Sequence, residues 1–435
     1  MRYVYEQPDL ERELNAARTE QALEAALQKV IALNRTFRDP GVYGRRLFAR
    51  GLDALIPALA RRLKLEDVPG AKSNDNACII GTEFYPTGGH TRVAMDIMER
   101  FPQGNRPVLM GTGIYASPQS YTSLLNDPKL SAGKGERAVV ALMSPTLVGK
   151  IIEQYMILKA MRPTRIFLMA HHMDIVAAIA AWPFRDVVEF MHHADHMPAI
   201  GVTLPFSAHV DLTYTCHLAC REAGIDAIYS GMSAARADAS AGARDAGQPL
   251  RIATCGGPNK YSGVRGYAWR DYAVAALQVP GTEVIHIGPT TPEQENEIRD
   301  ALATAGIATD RYVFAGLAPS LGAELVKRQA DIYLSSFPET GGKANLEAMG
   351  VGLPVIVPIG ADLPPLTRFS LPLPHYLGID RPDELAGAID RALELRRAMR
   401  EPDQTHLLEQ ELKRFDDYVA NGLVSPSAAG TPVTV

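Results

Sequence analysis

A chain of 435 residues has room for two or three compact units at roughly 100–200 residues each, which excludes a single small binding module. Hydrophobic residues make up 46% and charged residues 21%, and 44 basic against 49 acidic side chains leave a net charge of −5, so no global charge argues for nucleic acid. Cys78, Cys216, Cys220 and Cys255 form no Cys-x-x-Cys pair, the N-terminus is acidic and lacks the apolar run of a secretory signal, and no stretch of about 18 uncharged apolar residues would span a membrane; the expectation is a reducing, cytoplasmic chain.

Residues 1–70 read as helices. The stretch 10–33 is rich in Ala, Leu and Glu and holds neither Gly nor Pro. Over 41–64, Leu47, Phe48, Leu52, Leu55, Ile56, Leu59 and Leu63 recur at helical spacing and predict an amphipathic helix. Its polar side carries Arg45, Arg46, Arg50, Arg61, Arg62 and Lys64 against Asp53. Such a face suits weak contact with an anionic acceptor or a membrane surface, although a solvated helix shows the same charge run.

From 77 onward short apolar runs alternate with helical segments, the pattern of parallel strands joined by crossover helices. Strands are predicted at 78–84, 107–110, 138–143, 165–171, 187–192 and 210–215. The stretch 233–248 lacks large apolar residues and reads as a linker. A second series predicts strands at 250–255, 283–288, 312–315, 331–335 and 355–357, with helices near 266–278, 292–305, 320–329 and 344–349. A long charged segment, 382–418, predicts one more helix before a frayed tail. Two such halves imply a cleft, and sheets of this kind bind ligands at the carboxyl ends of their strands.

The stretch 335–358, SSFPETGGKANLEAMGVGLPVIVP, carries the most chemistry. A strand ends at Pro338-Glu339, and Gly341-Gly342 leads into a helix. Glycines there let backbone N–H groups approach an anion, and the helix dipole adds to the attraction. Glu347, further along the helix, has the chemistry to accept hydroxyl hydrogen bonds from a ribose. The same turn can also exist for packing alone, with both glutamates in solvent.

Glu339, seven residues, Glu347, then Ala348-Met349 and Gly352-Leu353-Pro354-Val355-Ile356-Val357 resembles the Glu-x7-Glu signature of nucleotide-sugar glycosyltransferases with the GT-B fold. Phe337-Pro338 followed by Gly341-Gly342 is also similar to the O-GlcNAc transferase and adhesin-glucosyltransferase group. The resemblance implies that Glu347 binds the donor ribose, Glu339 the sugar hydroxyls, and the loop Thr340, Gly341, Gly342 and Lys343 the diphosphate of a donor such as a UDP- or GDP-sugar. It rests on about 110 residues of the second half; the first half resembles these enzymes only in pattern.

Two further segments suit such a donor. In Cys255-Gly256-Gly257-Pro258-Asn259-Lys260, Lys260 can neutralise charge developing on a leaving nucleoside diphosphate, with Arg265 as a second cation. In the first half, 81–92 resembles the N-terminal glycine loop of these enzymes through Gly88, Gly89 and His90, while a glycine pair in a strand-to-helix turn is otherwise ordinary punctuation. Histidines gather at two strand ends, His171-His172 and His192-His193-Ala194-Asp195-His196. His193 and His196 are candidate proton-transfer or sugar-contacting groups and Asp195 a base or orienter, whereas His171, His172 and His192 read better as satisfied strand-end residues.

A rival reading uses the same residues. The run 191–196 is one residue away from the His-x-His-x-Asp-His pattern of binuclear zinc hydrolases, but Met191 stands where the first ligand belongs. Cys216 and Cys220 read as two buried thiols on a helix turn. A non-catalytic nucleotide-sugar-binding protein is the other alternative. The expected architecture is α/β of GT-B type: a helical N-terminal extension (1–70), a Rossmann-like acceptor domain (71–245), a Rossmann-like nucleotide-sugar domain (246–385) facing it across a cleft, a C-terminal helix (386–420) returning to the first domain, and a flexible tail (421–435). The expected reaction moves a sugar to a protein, glycan or small-molecule acceptor with no bound metal. Stereochemistry stays open, because Glu-x7-Glu leans towards retention and the Gly-Gly element towards inversion.

Overall fold

The structure, a computed structural model, describes residues 3–37, 39, 41–70, 76–84, 88–102, 107–115, 139–236, 247–360, 372–373, 376–399 and 402–422. Most of the expected linker and nearly all of the expected tail lie outside the described residues. The chain divides into two compact units, Met1–Gly231 with Phe415–Val435, and Met232–Arg414.

The first unit is built on a parallel sheet of β1 (Ala77–Gly81), β2 (Val108–Gly111), β3 (Val139–Ala141), β4 (Arg165–Leu168), β5 (Val188–His192), β6 (Ala208–Asp211) and β7 (Ile228–Tyr229), in the order β3-β2-β1-β4-β5-β6-β7. Cys78 pairs with Val108 on one side and Ile166 on the other, so β1 and β4 lie side by side where the order reverses. Strands of a parallel sheet are covered on both faces, which is why they appear in the sequence as mostly apolar runs; all five residues of β1 are buried.

The N-terminal helices differ from expectation in two respects. The stretch 10–33 is two helices, α1 (Pro8–Ala16) and α2 (Glu20–Ala32), because Thr19 caps the second by accepting the Ala22 N–H at 3.2 Å. The helix expected over 41–64 is α3, Arg50–Arg62 only. Residues ahead of it pair with distant backbone instead, Tyr5 N–H donating to the Phe48 carbonyl at 2.8 Å and Phe48 bridging Ala199. Asp53 is not on the polar side. It is 1% exposed and accepts the N–H groups of Gly201 (2.6 Å) and Thr203 (2.9 Å) and the Thr203 hydroxyl (2.8 Å), and burial raises its pKa to about 6. Arg62 donates to the carbonyls of Leu14, Asn15 and Ala17, satisfying the end of α1. Part of the basic face is therefore engaged within the unit.

Four crossover helices follow in this unit: α4 (Gly89–Arg100), α5 (Leu147–Met161), α6 (Ile175–Ala181) and α7 (Tyr214–Glu222). The second unit holds a six-stranded parallel sheet of β8 (Leu250–Cys255), β11 (Thr282–Ile287), β12 (Tyr312–Gly316), β13 (Ile332–Leu334), β14 (Val355–Pro358) and β15 (Tyr376–Ile379), ordered β12-β11-β8-β13-β14-β15, with a separate antiparallel pair β9 (Val264–Arg265) and β10 (Tyr267–Ala268). Its helices are α8 (Pro258–Tyr261), α9 (Trp269–Gln278), α10 (Pro292–Thr304), α11 (Leu321–Lys327), α12 (Gly342–Gly350) and α13 (Leu385–Ala398). Ile252, Val284, Ile332 and Ile356 from four strands meet Trp269, Tyr272 and Leu385 in one core.

The segment 382–418 is not one helix. After α13 the chain starts again as α14 (Pro402–Asn421), since a proline lacks the N–H of a helix interior and biases the residue before it away from helix. The last residues of α14 belong to the first unit. There Arg165 grips Glu189 with two bonds of 2.7 and 3.0 Å and donates to the Val419 carbonyl at 2.9 Å, while the buried Tyr418 hydroxyl donates to Glu189. Among the described residues no helix is long and apolar enough to cross a membrane.

Candidate functional site

In the second unit the loop leaving β8 is folded tightly against its neighbours. Gly256 N–H donates to the Ile287 carbonyl at 3.2 Å, and Lys260 N–H to the Gly257 carbonyl at 3.0 Å. Gly288, with φ at +130°, approaches so closely that a Cβ there would lie 2.3 Å from the Gly256 carbonyl oxygen. Only glycine fits that position. The Tyr261 hydroxyl meets the Thr254 hydroxyl at 2.9 Å and anchors the far end of the loop in the core.

This loop meets the one leaving β13. Glu339 N–H donates to the Lys260 carbonyl at 3.3 Å, and the Lys260 ammonium lies over Gly341, where a Cβ would stand 2.7 Å from Nζ. The Ser336 hydroxyl donates to the Glu339 carbonyl at 2.7 Å and holds the turn. Gly341 is the N-cap of α12, a cap with no side-chain hydrogen bond, so the helix opens with its first N–H groups beside the ammonium. Burial pushes the Cys255 thiol up to about 11, Lys260 opposing and Glu347 adding to the shift, which locates both charges around the end of β8.

The structure thus brings Gly256, Gly257, Lys260, Glu339, Gly341, Gly342 and Glu347 to one end of the second sheet. Asn259 is exposed on the same loop. Thr340 is part-exposed beside Gly341. Arg265 lies on β9, in a hairpin whose Gly263 packs near Pro338. Lys343 behaves differently from an open loop cation: it is buried and its ammonium donates to the Ser233 carbonyl.

In the first unit the loops after β1, β2, β4 and β5 converge on a group of imidazoles. His90 and His171 rings are 4.7 Å apart, His90 stacks on His193 at 6.2 Å, and Tyr115 stacks on His171 at 6.1 Å. The His90 ring also bonds the Glu83 carbonyl at the start of the glycine loop, whose residues 85–87 lie outside the described ones. Gly88 and Gly89 are exposed at the start of α4. Burial, reinforced by neighbouring imidazoles, drives the pKa of His171 down to about 3 and those of His90 and His172 well below the usual range. His193 is lowered by burial as well, although its bond to the Met191 carbonyl at 3.2 Å opposes the shift. Burial alone would raise the Asp195 carboxyl, but the bond to His196 at 2.6 Å and the nearby imidazoles bring it below its ordinary value.

Glu83 has no role in the sequence reading, yet it sits at this point. It is 1% exposed, its Oε1 is buried without a hydrogen-bond partner, and burial raises its pKa to about 6. The one sequence signal was an acidic residue closing an apolar strand. Below it, Asp174 takes the hydroxyls of Thr82 (2.6 Å) and Thr112 (2.5 Å) and caps α6 through Ala177 N–H (2.9 Å), tying the ends of β1 and β2 to that helix.

The rival zinc pattern needed 192–196 to act as one ligand set. Successive strand residues face opposite ways. His192 is accordingly buried with Asp211 at 3.0 Å, whereas His193 and the His196–Asp195 pair belong to the partly exposed group. Cys216 and Cys220 are both free and buried on α7, as expected.

No protein-family model and no curated protein matches the sequence. Solved structures do match in fold. HepE of Anabaena in complex with UDP-glucose superimposes with a TM-score of 0.55 at 15% identity, covering 79% of this chain and 98% of that one. The lipopolysaccharide outer core galactosyltransferase WaaB gives 0.52 at 15% identity over 79% of this chain and 96% of its own, and a glycosyltransferase from Rickettsia africae 0.52 at 11% identity over 80% and 95%. At these identities the likeness establishes architecture: the chain has the GT-B fold, with one parallel Rossmann-like sheet in each of its two units.

Proposed function

We propose that this protein is a glycosyltransferase that moves a sugar from a nucleoside-diphosphate donor to a protein, glycan or small-molecule acceptor, with no metal ion in the chemical step. The observation that carries the reading is the Lys260 ammonium held over Gly341 at the N-terminus of α12, with Glu347 further along the same helix. That arrangement is an anion site with a hydroxyl-binding carboxylate near it. The shared architecture with HepE, solved with UDP-glucose, supports the same donor class.

In this reading the diphosphate rests on the N–H groups opening α12. Lys260 stabilises it further as the anomeric bond breaks and its charge grows. Glu347 accepts the ribose hydroxyls and Glu339 the hydroxyls of the sugar. Acid–base work falls to the first unit. Neutral His193, or His196 oriented by Asp195, accepts the proton of the acceptor hydroxyl. A thermal-shift screen across UDP-, GDP-, ADP- and dTDP-sugars tests the donor site, because a ligand of the folded state raises Tm by mass action. One sugar class should stabilise the protein and be hydrolysed slowly without acceptor. Stabilisation by none of them would remove the reading; stabilisation with no turnover across an acceptor panel would leave a nucleotide-sugar-binding protein.

A further inference from the structure

Away from both strand-end groups, four chemically distinct donors meet inside the first unit. His192 Nδ1 is 3.0 Å and His209 Nε2 3.1 Å from Asp211 Oδ1, and Cys220 Sγ is 3.5 Å from that oxygen, 3.5 Å from His209 Nε2 and 3.6 Å from His192 Nδ1. All four donor atoms lie within 4.8 Å of one another, and no residue of the set is more than 9% exposed. The fold arranges this deliberately. His192 pairs with Asp211 in the β5–β6 register, His209 shares the face of Asp211 two residues earlier on β6, and Cys220 comes from α7, the helix that follows β6.

Hydrogen bonding alone leaves this cluster poorly matched. The His209 Nδ1 faces the Val202 carbonyl at 3.1 Å, and a carbonyl only accepts, so the ring proton belongs on Nδ1. The Nε2 lone pair then points at a carboxylate oxygen, acceptor against acceptor. A second ring proton or a cation between them resolves the conflict. His192 Nε2 is buried without a partner. Asp211 has three neighbours crowded on Oδ1, while its Oδ2 lies 3.4 Å from His217 Nδ1, outside hydrogen-bond geometry.

We propose that His192, His209, Asp211 and Cys220 form a metal site for a single zinc ion. Tetrahedral zinc with bonds of about 2.0–2.3 Å places its donors roughly 3.3–3.6 Å apart, and five of the six pairs here stand at 3.0–3.6 Å, the two imidazole nitrogens lying within 4.8 Å of each other. Two imidazoles, a carboxylate and a thiolate are a borderline-soft set that favours zinc over magnesium or calcium. The Val202 carbonyl serves as the outer partner that fixes the ligating tautomer of His209. Four protein donors, all buried, leave no position for a water, so the ion is structural. It clamps β5, β6 and α7 together directly before the His193–His196 loop.

The test is metal analysis of tag-free protein purified without chelator. About one zinc per chain is expected, lost in Cys220→Ser and His209→Ala and retained in Cys216→Ser and His193→Ala. If the first two variants do not fold, cobalt exchanged into the wild-type chain decides the matter, since a thiolate ligand produces a charge-transfer band in the near ultraviolet and tetrahedral cobalt intense visible bands. Metal-free protein whose Tm is indifferent to added zinc, with no such cobalt spectrum, would leave only a doubly protonated His209 paired with Asp211 and overturn the proposal. Zinc that survives Cys220→Ser but is lost in His193→Ala would overturn it equally.

Discussion

The two sheets end in different kinds of chemistry. At the end of the second sheet the charged and glycine residues come from two short stretches, 256–260 and 339–347, which set one ammonium beside the start of one helix. At the end of the first sheet the groups come from 83, 90, 115, 171, 193 and 195–196, and their character is set by burial. Anion recognition can be written in a local motif because a helix N-terminus carries its own partial charge. Proton chemistry near neutrality cannot, because it depends on how much water the fold removes from around each group.

Four tests, using six substitutions, would break or sharpen this contrast. The largest effect belongs to Lys260→Ala. If the ammonium meets charge that grows as the leaving group departs, kcat/KM falls by ~10²–10³-fold while donor affinity falls much less. Equal losses in steady-state and binding measurements would reduce Lys260 to a binding residue.

Next comes Gly288→Ala, which places a Cβ 2.3 Å from the Gly256 carbonyl at a φ of +130°. Neither backbone can yield, so a loss of roughly 2–4 kcal/mol in urea unfolding is expected, with weaker donor binding. Gly341→Ala makes a useful control, since its clash is with the flexible end of Lys260; a Gly288 variant as mild as this one would contradict the rigid loop described here.

Glu347→Ala should weaken calorimetric binding of the nucleoside diphosphate itself by about 1.5–3 kcal/mol, the worth of a charge-assisted hydrogen bond. Glu339→Ala should instead leave free diphosphate binding nearly intact and blur discrimination between sugars. Unchanged diphosphate affinity in the Glu347 variant would remove the ribose anchor.

The smallest effect tests the other sheet. Glu83 has a folded-state pKa of about 6 against an ordinary 4.5, so its contribution to stability is fully present below pH 4.5 and is lost as pH rises through 6. Glu83→Gln should therefore be more stable than the parent at pH 7–8 by about 1 kcal/mol and match it near pH 4. Asp53, also raised to about 6, leaves some dependence of the same sign in the variant. A difference in stability between the parent and Glu83→Gln that stays constant from pH 4 to 8 would contradict the assignment; the parent curve alone does not decide it, because His90, His171, His172 and His193, whose pKa values burial lowers, add stability as pH rises over the same range.

Several elements were legible because their cause is local. Buried parallel strands are mostly apolar, so β1 and β14 stand out as unbroken runs and β5, β8 and β11 as runs broken by one to three polar residues, and Gly341-Gly342 marks the start of α12. Others were not. β7, β9 and β10, of two residues each, are too short to build a periodic signal, β15 is partly exposed and broken by Gly378, and the Thr19 cap and Pro402 break are single residues inside long helix-like stretches.

What the sequence by itself determined is the alternation of strand and helix in two halves and the glycine turn that opens α12, because these follow from hydrophobic periodicity and backbone geometry over a few residues. Only the tertiary structure decided that Asp53 leaves the basic face of α3 for the interior, that Lys343 is spent on the Ser233 carbonyl, and that the neighbours His192 and His193 belong to different groups. It also decided that Glu83 holds its proton up to about pH 6. Each of these depends on which distant backbone or side chain excludes water from the group, and a charge run or a histidine cluster in one dimension carries no record of that exclusion.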